Sequence, residues 1–298
     1  MHKPWLKLGG VMAVLVGLTP AARAQPDPPR ERLEEQVEDA TEPSRPPLRI
    51  GLRAHVRYEA NDTEPYHRFE IRRARVEADV HPLSWLRAQV DLDAAKAPAL
   101  RDAFVETHIA PWLELRIGLT KKPFSRIETT SSRRLPLCER GIVNERVIDD
   151  NNLEFGGRDI GLLAKGRVGD LRYAAGLFNG SGRATEVDSG KDALLRLRYN
   201  PIRTLQLGLS GALKWRNAPG IDWPGNDYWA AGIDARLRAG IVDVVAETLW
   251  AQRSPNRQHN LGAIVYGQLR FKPTDDIRVR PILKAEVLDD DMDRGRNL

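Results

Sequence analysis

The residues of this chain best suited to chemistry are arginines. Of its 46 basic residues, 36 are Arg and 10 are Lys, and many share one parity along extended segments: Arg53 with Arg57, Arg73 with Arg75, Arg196 with Arg198, Arg278 with Arg280. A guanidinium presents a rigid fork of donors that fits carboxylate or phosphate oxygens. Such a set therefore points to anion recognition. The candidate anion-binding, pore-lining residues are Arg73, Arg75, Arg87, Arg116, Lys121, Lys122, Arg126, Arg133, Arg134 and Arg140, the last six within one basic stretch, 121–156.

Other chemistries lack their marks. The six histidines are scattered and form no HExxH pair, so no metal site is expected. Asp149-Asp150-Asn151-Asn152 has the oxygens but not the spacing of an EF-hand loop. Ser181 lies in Gly180-Ser181-Gly182 without a nucleophile elbow. Cys138 is the only cysteine, which excludes an internal disulfide framework. Neither catalysis nor a cofactor is expected. The formal charge of +5 and pI near 9.4 fit several anionic partners, and charge alone does not choose among them.

The elements that must carry these residues follow from the hydrophobic pattern. Lys3 and Lys7, the apolar run Leu8–Leu18 and Ala22-Arg23-Ala24 have the form of a signal peptide spanning 1–24, cleaved before Gln25. Residues 25–47, rich in proline and glutamate, read as a periplasmic leader. No later segment approaches 18 consecutive apolar residues, so helical membrane spans are excluded.

From Leu48 onward the period is two. Ile50, Leu52, Ala54, Val56 and Tyr58 alternate with polar neighbours, and so do Leu86, Ala88, Val90 and Leu92, and Leu113, Leu115, Ile117 and Leu119. The same alternation recurs to about residue 288 and predicts thirteen strands, with Pro281 a local objection to the last. Tight links alternate with mostly longer ones, the loop asymmetry of a transmembrane barrel. Trp85, Trp112, Trp215 and Trp229 sit beside turns, where an interfacial ring would fall. In lipid such a sheet must close, since an open edge leaves backbone groups unpaired. The charged faces then point inward, and a dry core could not hold them. The pattern thus predicts an all-β fold, a transmembrane antiparallel barrel over 48–298 with a water-filled lumen. Residues 121–156 form the third external loop, which folds inward as a constriction.

At this point a family resemblance enters. Phe69-Glu70-Ile71-Arg72-Arg73-Ala74-Arg75, Arg101-Asp102-Ala103-Phe104-Val105-Glu106 and Gly118-Leu119-Thr120-Lys121-Lys122-Pro123-Phe124-Ser125 resemble motifs of the phosphate-selective porin O/P family. Glu139-Arg140-Gly141, Arg158-Asp159-Ile160-Gly161 and Gly176-Leu177-Phe178-Asn179-Gly180 follow in the family's order. The resemblance covers about 48–290. It implies a homotrimer of sixteen-stranded barrels in the outer membrane of a Gram-negative bacterium, embedded in lipid and passing small anions, phosphate or polyphosphate among them. No nucleic acid partner and no enzymatic activity are implied. Thirteen strands fall three short of sixteen, and the chain stops at Asn297-Leu298 without a terminal strand ending in an aromatic, so a C-terminally truncated barrel is expected. The alternative is an exported β-sheet protein that binds or adheres and forms no channel.

Overall fold

The computed structural model describes residues 9–18, 47–61, 66–131, 134–137, 139–148, 155–182, 190–215, 228–253, 258–273 and 277–289. Alternation makes the thirteen strands expected from Leu48 onward, and the apolar run Gly9–Leu18, expected as part of a signal peptide, adds a strand that was not. In chain order they are β1 (Gly9–Leu18), β2 (Leu48–Asn61), β3 (Tyr66–Leu83), β4 (Leu86–Asp93), β5 (Leu100–Ala110), β6 (Leu113–Lys121), β7 (Arg158–Val168) and β8 (Leu171–Phe178). There follow β9 (Lys191–Ile202), β10 (Leu205–Trp215), β11 (Tyr228–Ala239), β12 (Val242–Arg253), β13 (Gln258–Leu269) and β14 (Ile277–Asp289). All belong to one antiparallel sheet in which β2 to β14 neighbour each other in sequence order and β1 lies on the far side of β14.

The sheet is inside out by the standards of a water-soluble protein. Leu52 is 79% and Phe69 81% exposed, whereas Asp93, Asp159 and Asp192 are 0% exposed. Along β5, Asp102, Phe104 and Glu106 are buried while Val105 and Ile109 are exposed. Only an apolar solvent on the outer face makes that arrangement favourable. Links of two residues join β3 to β4, β5 to β6, β7 to β8, β9 to β10 and β11 to β12. Two of them place glycine at positive φ, Gly169 (59°) and Gly240 (55°), as the tight turns of twisted hairpins require. The link between β6 and β7, 122–157, is far longer. The β13–β14 ladder breaks at Pro281: it runs from Leu261 opposite Asp289 to Gln268 opposite Ile282 and resumes only as a bridge between Phe271 and Val279.

The sheet is strongly curled. Glu139 contacts Arg57 on β2 and Arg72 on β3, and Val143 N, four residues on, donates to Glu286 on β14 (3.4 Å). Four residues span at most about 14 Å. Twelve strand spacings laid flat would separate β2 from β14 by about 58 Å. The two ends of the sheet must therefore approach each other around the 122–157 link.

The ladder does not run full circle. Among the described residues none joins β1 to β2, so the sheet is open, and the closed sixteen-stranded barrel that the resemblance implies is not formed. Strand direction keeps β2 from pairing with β14 directly. With thirteen alternating strands, β2 and β14 run the same way, and a direct join would be a parallel ladder in a wholly antiparallel sheet. The apolar run Gly9–Leu18, antiparallel to β14 from Gly9 opposite Glu286 to Leu18 opposite Ile277, takes that strand's free edge. Residues 1–8 and 19–46, which include the rest of the expected signal peptide and almost all of the leader, lie outside the described residues.

Candidate functional site

The described part of the 122–157 link rests on the charged face of the sheet, fastened by one carboxylate above all. A short helix, α1 (Arg126–Thr129), begins at Ser125, whose side chain accepts from Glu128 N (3.1 Å) and whose φ of 65° is left-handed. The first amides of any helix lack internal partners. Here Glu247 on β12 supplies them, accepting from Arg126 N (2.6 Å), Ile127 N (3.1 Å) and Ser125 Oγ (2.9 Å). Ser125 N donates to Ser210 Oγ on β10 (3.2 Å). These bonds over-determine the strained residue, which is how such a conformation persists.

Apolar packing completes the docking. Phe124, Ile127, Val143, Val147, Ile148 and Phe155 are at most 1% exposed and pack on inward-facing Leu194, Ala212, Ala230, Leu249 and Ile264. The Phe124 and Phe155 rings lie 5.9 Å apart, centroid to centroid. Gly262 leaves room for Val143, since a Cβ there would stand 2.4 Å from Val143 Cγ1. Within the loop, Glu128 meets Lys121 (2.9 Å), Arg140 (3.1 Å) and Asn144 Nδ2 (3.3 Å). Burial opposes ionisation of Glu128, but Lys121 and Arg140 outweigh it and hold its carboxyl below the usual range.

Across the lumen from this docked wall, β2 to β7 and the loop enclose a cavity of about 650 Å³. Twelve cationic and four acidic side chains line it, counting Arg49, Arg53, Arg73, Arg75, Arg87, Lys96, Arg101, Arg116, Lys121, Arg134, Arg140 and Arg158 against Glu77, Asp79, Asp91 and Asp102. The acids do not cancel the field so much as aim it. Asp79 grips Arg87 through two bonds of 2.9 Å, Asp102 grips Arg158 in the same way, and Asp93 behind the wall holds Arg75 at 3.0 Å. Bidentate pairing fixes each guanidinium plane. A smaller cavity of about 90 Å³ lies between β6–β9 and the loop. Its described lining holds seven cations, including Lys165, Arg172, Arg196 and Arg198, and no acid. Arg116, Lys121 and Thr129 line both cavities and so mark their junction.

The ten candidate residues therefore divide. Arg73, Arg75, Arg87, Arg116, Lys121, Arg134 and Arg140 come together around the larger cavity. Lys122 lies in the smaller one and in a buried ion-pair cluster with Asp192 (3.1 Å) and Asp159 (3.8 Å). Arg126 lines neither cavity; it pairs with Asp234 and Gln206 and ties the loop to β10 and β11. Arg133 and Cys138 lie outside the described residues, as do Asp149 to Asn152. Sequence reasoning passed over Arg101 as a site residue; simple alternation would put it on the outer face with Ala103 and Val105. A register shift between β4 and β5, Asp91 opposite Asp102 but Leu92 opposite Leu100, turns it inward.

Glu106, His108 and Glu114 bring three ligand atoms within 4.8 Å of one another. Lys165 Nζ already sits between the two carboxylates, at 2.9 and 3.0 Å, where a metal cation would have to stand. On the outer face, Trp229, Trp250 and His259 on three adjacent strands form a row with centroids 4.9–6.1 Å apart, beside the longer links. Aromatic rows of this kind suit a membrane–water interface.

An inside-out antiparallel sheet, curled about an inserted loop and lined with cations, defines a porin-type membrane protein. Residues 48–221 match the family model of the phosphate-selective porins O and P. The chain belongs to that family. It is an outer-membrane protein of a Gram-negative bacterium, an anion-conducting channel rather than an enzyme. A search of curated proteins finds no match. Among solved structures, the chain is similar to the anion-selective porin of Comamonas acidovorans, at 11% identity and a TM-score of 0.43, over 81% of this chain and 98% of that one. It is also similar to the outer-membrane protein OmpT of Vibrio cholerae, at 10% identity and a TM-score of 0.41, over 81% and 99%. The family assignment rests on the match to 48–221 and not on these likenesses.

Proposed function

We propose that the chain forms a passive outer-membrane pore for small inorganic anions, phosphate or polyphosphate among them, and that it works as a homotrimer. The observation that carries this reading is the excess of twelve cations over four acids around the 650 Å³ cavity. Focused in a low-dielectric wall, such an excess concentrates anions and repels cations. Residues 121–156 serve as the constriction: by packing against β9–β13 they confine the water path to the cation-rich side of the lumen. The cations named above, Arg73 to Arg140, act as its anion-binding lining. Residues 1–24 are a leader removed on export, and closure in lipid then requires the edges of β2 and β14 to be covered. Three further strands would do so and bring the total to an even sixteen.

The test is current through planar bilayers holding the purified protein under a KCl gradient, repeated with added phosphate. A reversal potential favouring chloride, with phosphate reducing the chloride current, is the expected result. A cation-selective or unselective current would overturn anion preference, and chloride current indifferent to phosphate would remove phosphate from the cargo.

A further inference from the structure

The end of the sheet with the two-residue links, which faces the periplasm in barrels of this kind, holds a cavity of about 440 Å³. It shares no lining residue with the other two and gathers at the β9–β10 link, Arg203-Thr204. The ladder slips there: Leu207 stands opposite Tyr199 but Leu205 opposite Ile202, so β9 carries one extra residue. Asn200 stays on the inner side, where Gln206 Nε2 donates to its Oδ1 (2.9 Å), while Ile202 joins Leu205 on the outer side. The lining thus runs from Gln206, Arg236 and Arg238 in the lumen, over Arg203 at the tip, to Ile202 and Leu205 toward lipid.

The two halves differ in chemistry. Ile202, 59% exposed, continues an exposed apolar surface with Tyr199, Leu207 and Leu237. The other half carries three arginines. Asp243 braces Arg236 through bonds of 2.8 and 2.7 Å and lies 3.6 Å from Arg238. Asp170, the acid of the described lining, has an exposed side chain 3.9 Å from Arg167, which lies outside the cavity. Among the described residues no acid pairs with Arg203.

We propose that this cavity holds the headgroup of an anionic phospholipid of the periplasmic leaflet, its phosphate between Arg203 and Arg238 and its acyl chains along Ile202, Leu205 and Leu237. A guanidinium fork fits phosphate oxygens. Basic groups beside an apolar band, with an interfacial tyrosine such as Tyr199, stand at the depth of a headgroup. A free anion would use the arginines and leave the aliphatic half bare, whereas a lipid uses both. The site belongs to the rim of the sheet, so it stands whatever the channel carries.

The test is native mass spectrometry of the purified protein released from mixed vesicles of phosphatidylethanolamine and phosphatidylglycerol, counting the lipid that each protomer retains. Phosphatidylglycerol should be retained in preference. Arg203→Ala or Arg238→Ala should each cut that retention about fivefold, and the two together about thirtyfold. Both variants keep their fold, since Arg203 lies in an exposed turn and Asp243 still has Arg236 and Gln268 (3.0 Å) as partners. Arg167→Ala, which removes an exposed rim cation outside the cavity, should leave retention unchanged. Equal retention of the two lipids overturns the inference, and so does an equal loss in Arg167→Ala, which would mean a diffuse rim charge and no built site. Release of the bound lipid by added inorganic phosphate would make the arginines a free-anion site and also overturn it.

Discussion

The two walls of the lumen obey the same alternation and have opposite interiors. On β3 to β6 the inward side chains are charged, Asp79, Arg87, Asp91 and Arg116 among them, and they face an open cavity. On β9 to β13 a middle band of inward positions is apolar, Leu194, Ala212, Ala230, Leu249 and Ile264, and the loop is packed on it. Charged residues flank that band, Asp192, Glu247 and Asp234, each meeting a loop residue. The difference teaches that this lumen is not a uniformly polar pore narrowed by a dangling loop. One wall is a hydrophobic dock, and the cavity is what the dock leaves open. Dry apolar packing holds the loop, while arginines line the cavity opposite.

The largest effect that would break this contrast is on the dock. Phe124→Ala removes a fully buried ring and should weaken loop docking by about 3–5 kcal/mol, the cost of a phenylalanine-sized core deletion. Single-channel conductance should rise and become noisy, while the thermal transition of the sheet itself moves little. An unchanged conductance would mean the loop does not set the path.

Acid offers a milder perturbation. Glu128 is held below the ordinary glutamate value, near 4.3, by Lys121 and Arg140 acting against its burial. Its contribution is therefore fully present above that value and is lost as pH falls through the lower folded pKa. Hydrogen exchange at the amides of residues 126 to 130 should stay protected down to about pH 5 and loosen well below pH 4. Protection that instead fails on the alkaline side would reverse the sign of this assignment.

The smallest effect concerns the strut between the two ends of the sheet. Glu139, with a side chain 55% exposed, bridges Arg57 and Arg72. Such an exposed, screened pair is worth at most about 1 kcal/mol. Glu139→Ala should leave stability nearly untouched and shift only the fluctuations of the open current. A large loss of stability would show that the loop braces the open wall as firmly as the docked one.

Much of this was legible in the residues alone. Period-two alternation from Leu48 onward marked thirteen strands, and the structure has thirteen from β2 to β14. The same alternation told which side chains share a face, because the pleat makes parity a local property. It failed where local geometry departs from the pleat. The shift opposite Asp91 turns Arg101 inward. Basic residues on the long link looked alike in sequence, yet Arg126 is spent on Asp234 and Gln206 whereas Arg140 lines the cavity while bracing Glu128.

The strands from Leu48 onward, outer and inner faces, the lumen's positive charge and family membership were thus decided by the sequence by itself, since each depends on composition and on neighbours one or two residues away. Which wall the loop would choose, which cations would face water, and that Glu106 would sit among Arg87, Arg116 and Lys165 were decided only by the tertiary structure. Those pairings join residues 10 to 122 positions apart, and no local periodicity carries the curvature that brings them within 3.5 Å. That curvature comes from the sheet as a whole, through its twist and through the loop it wraps.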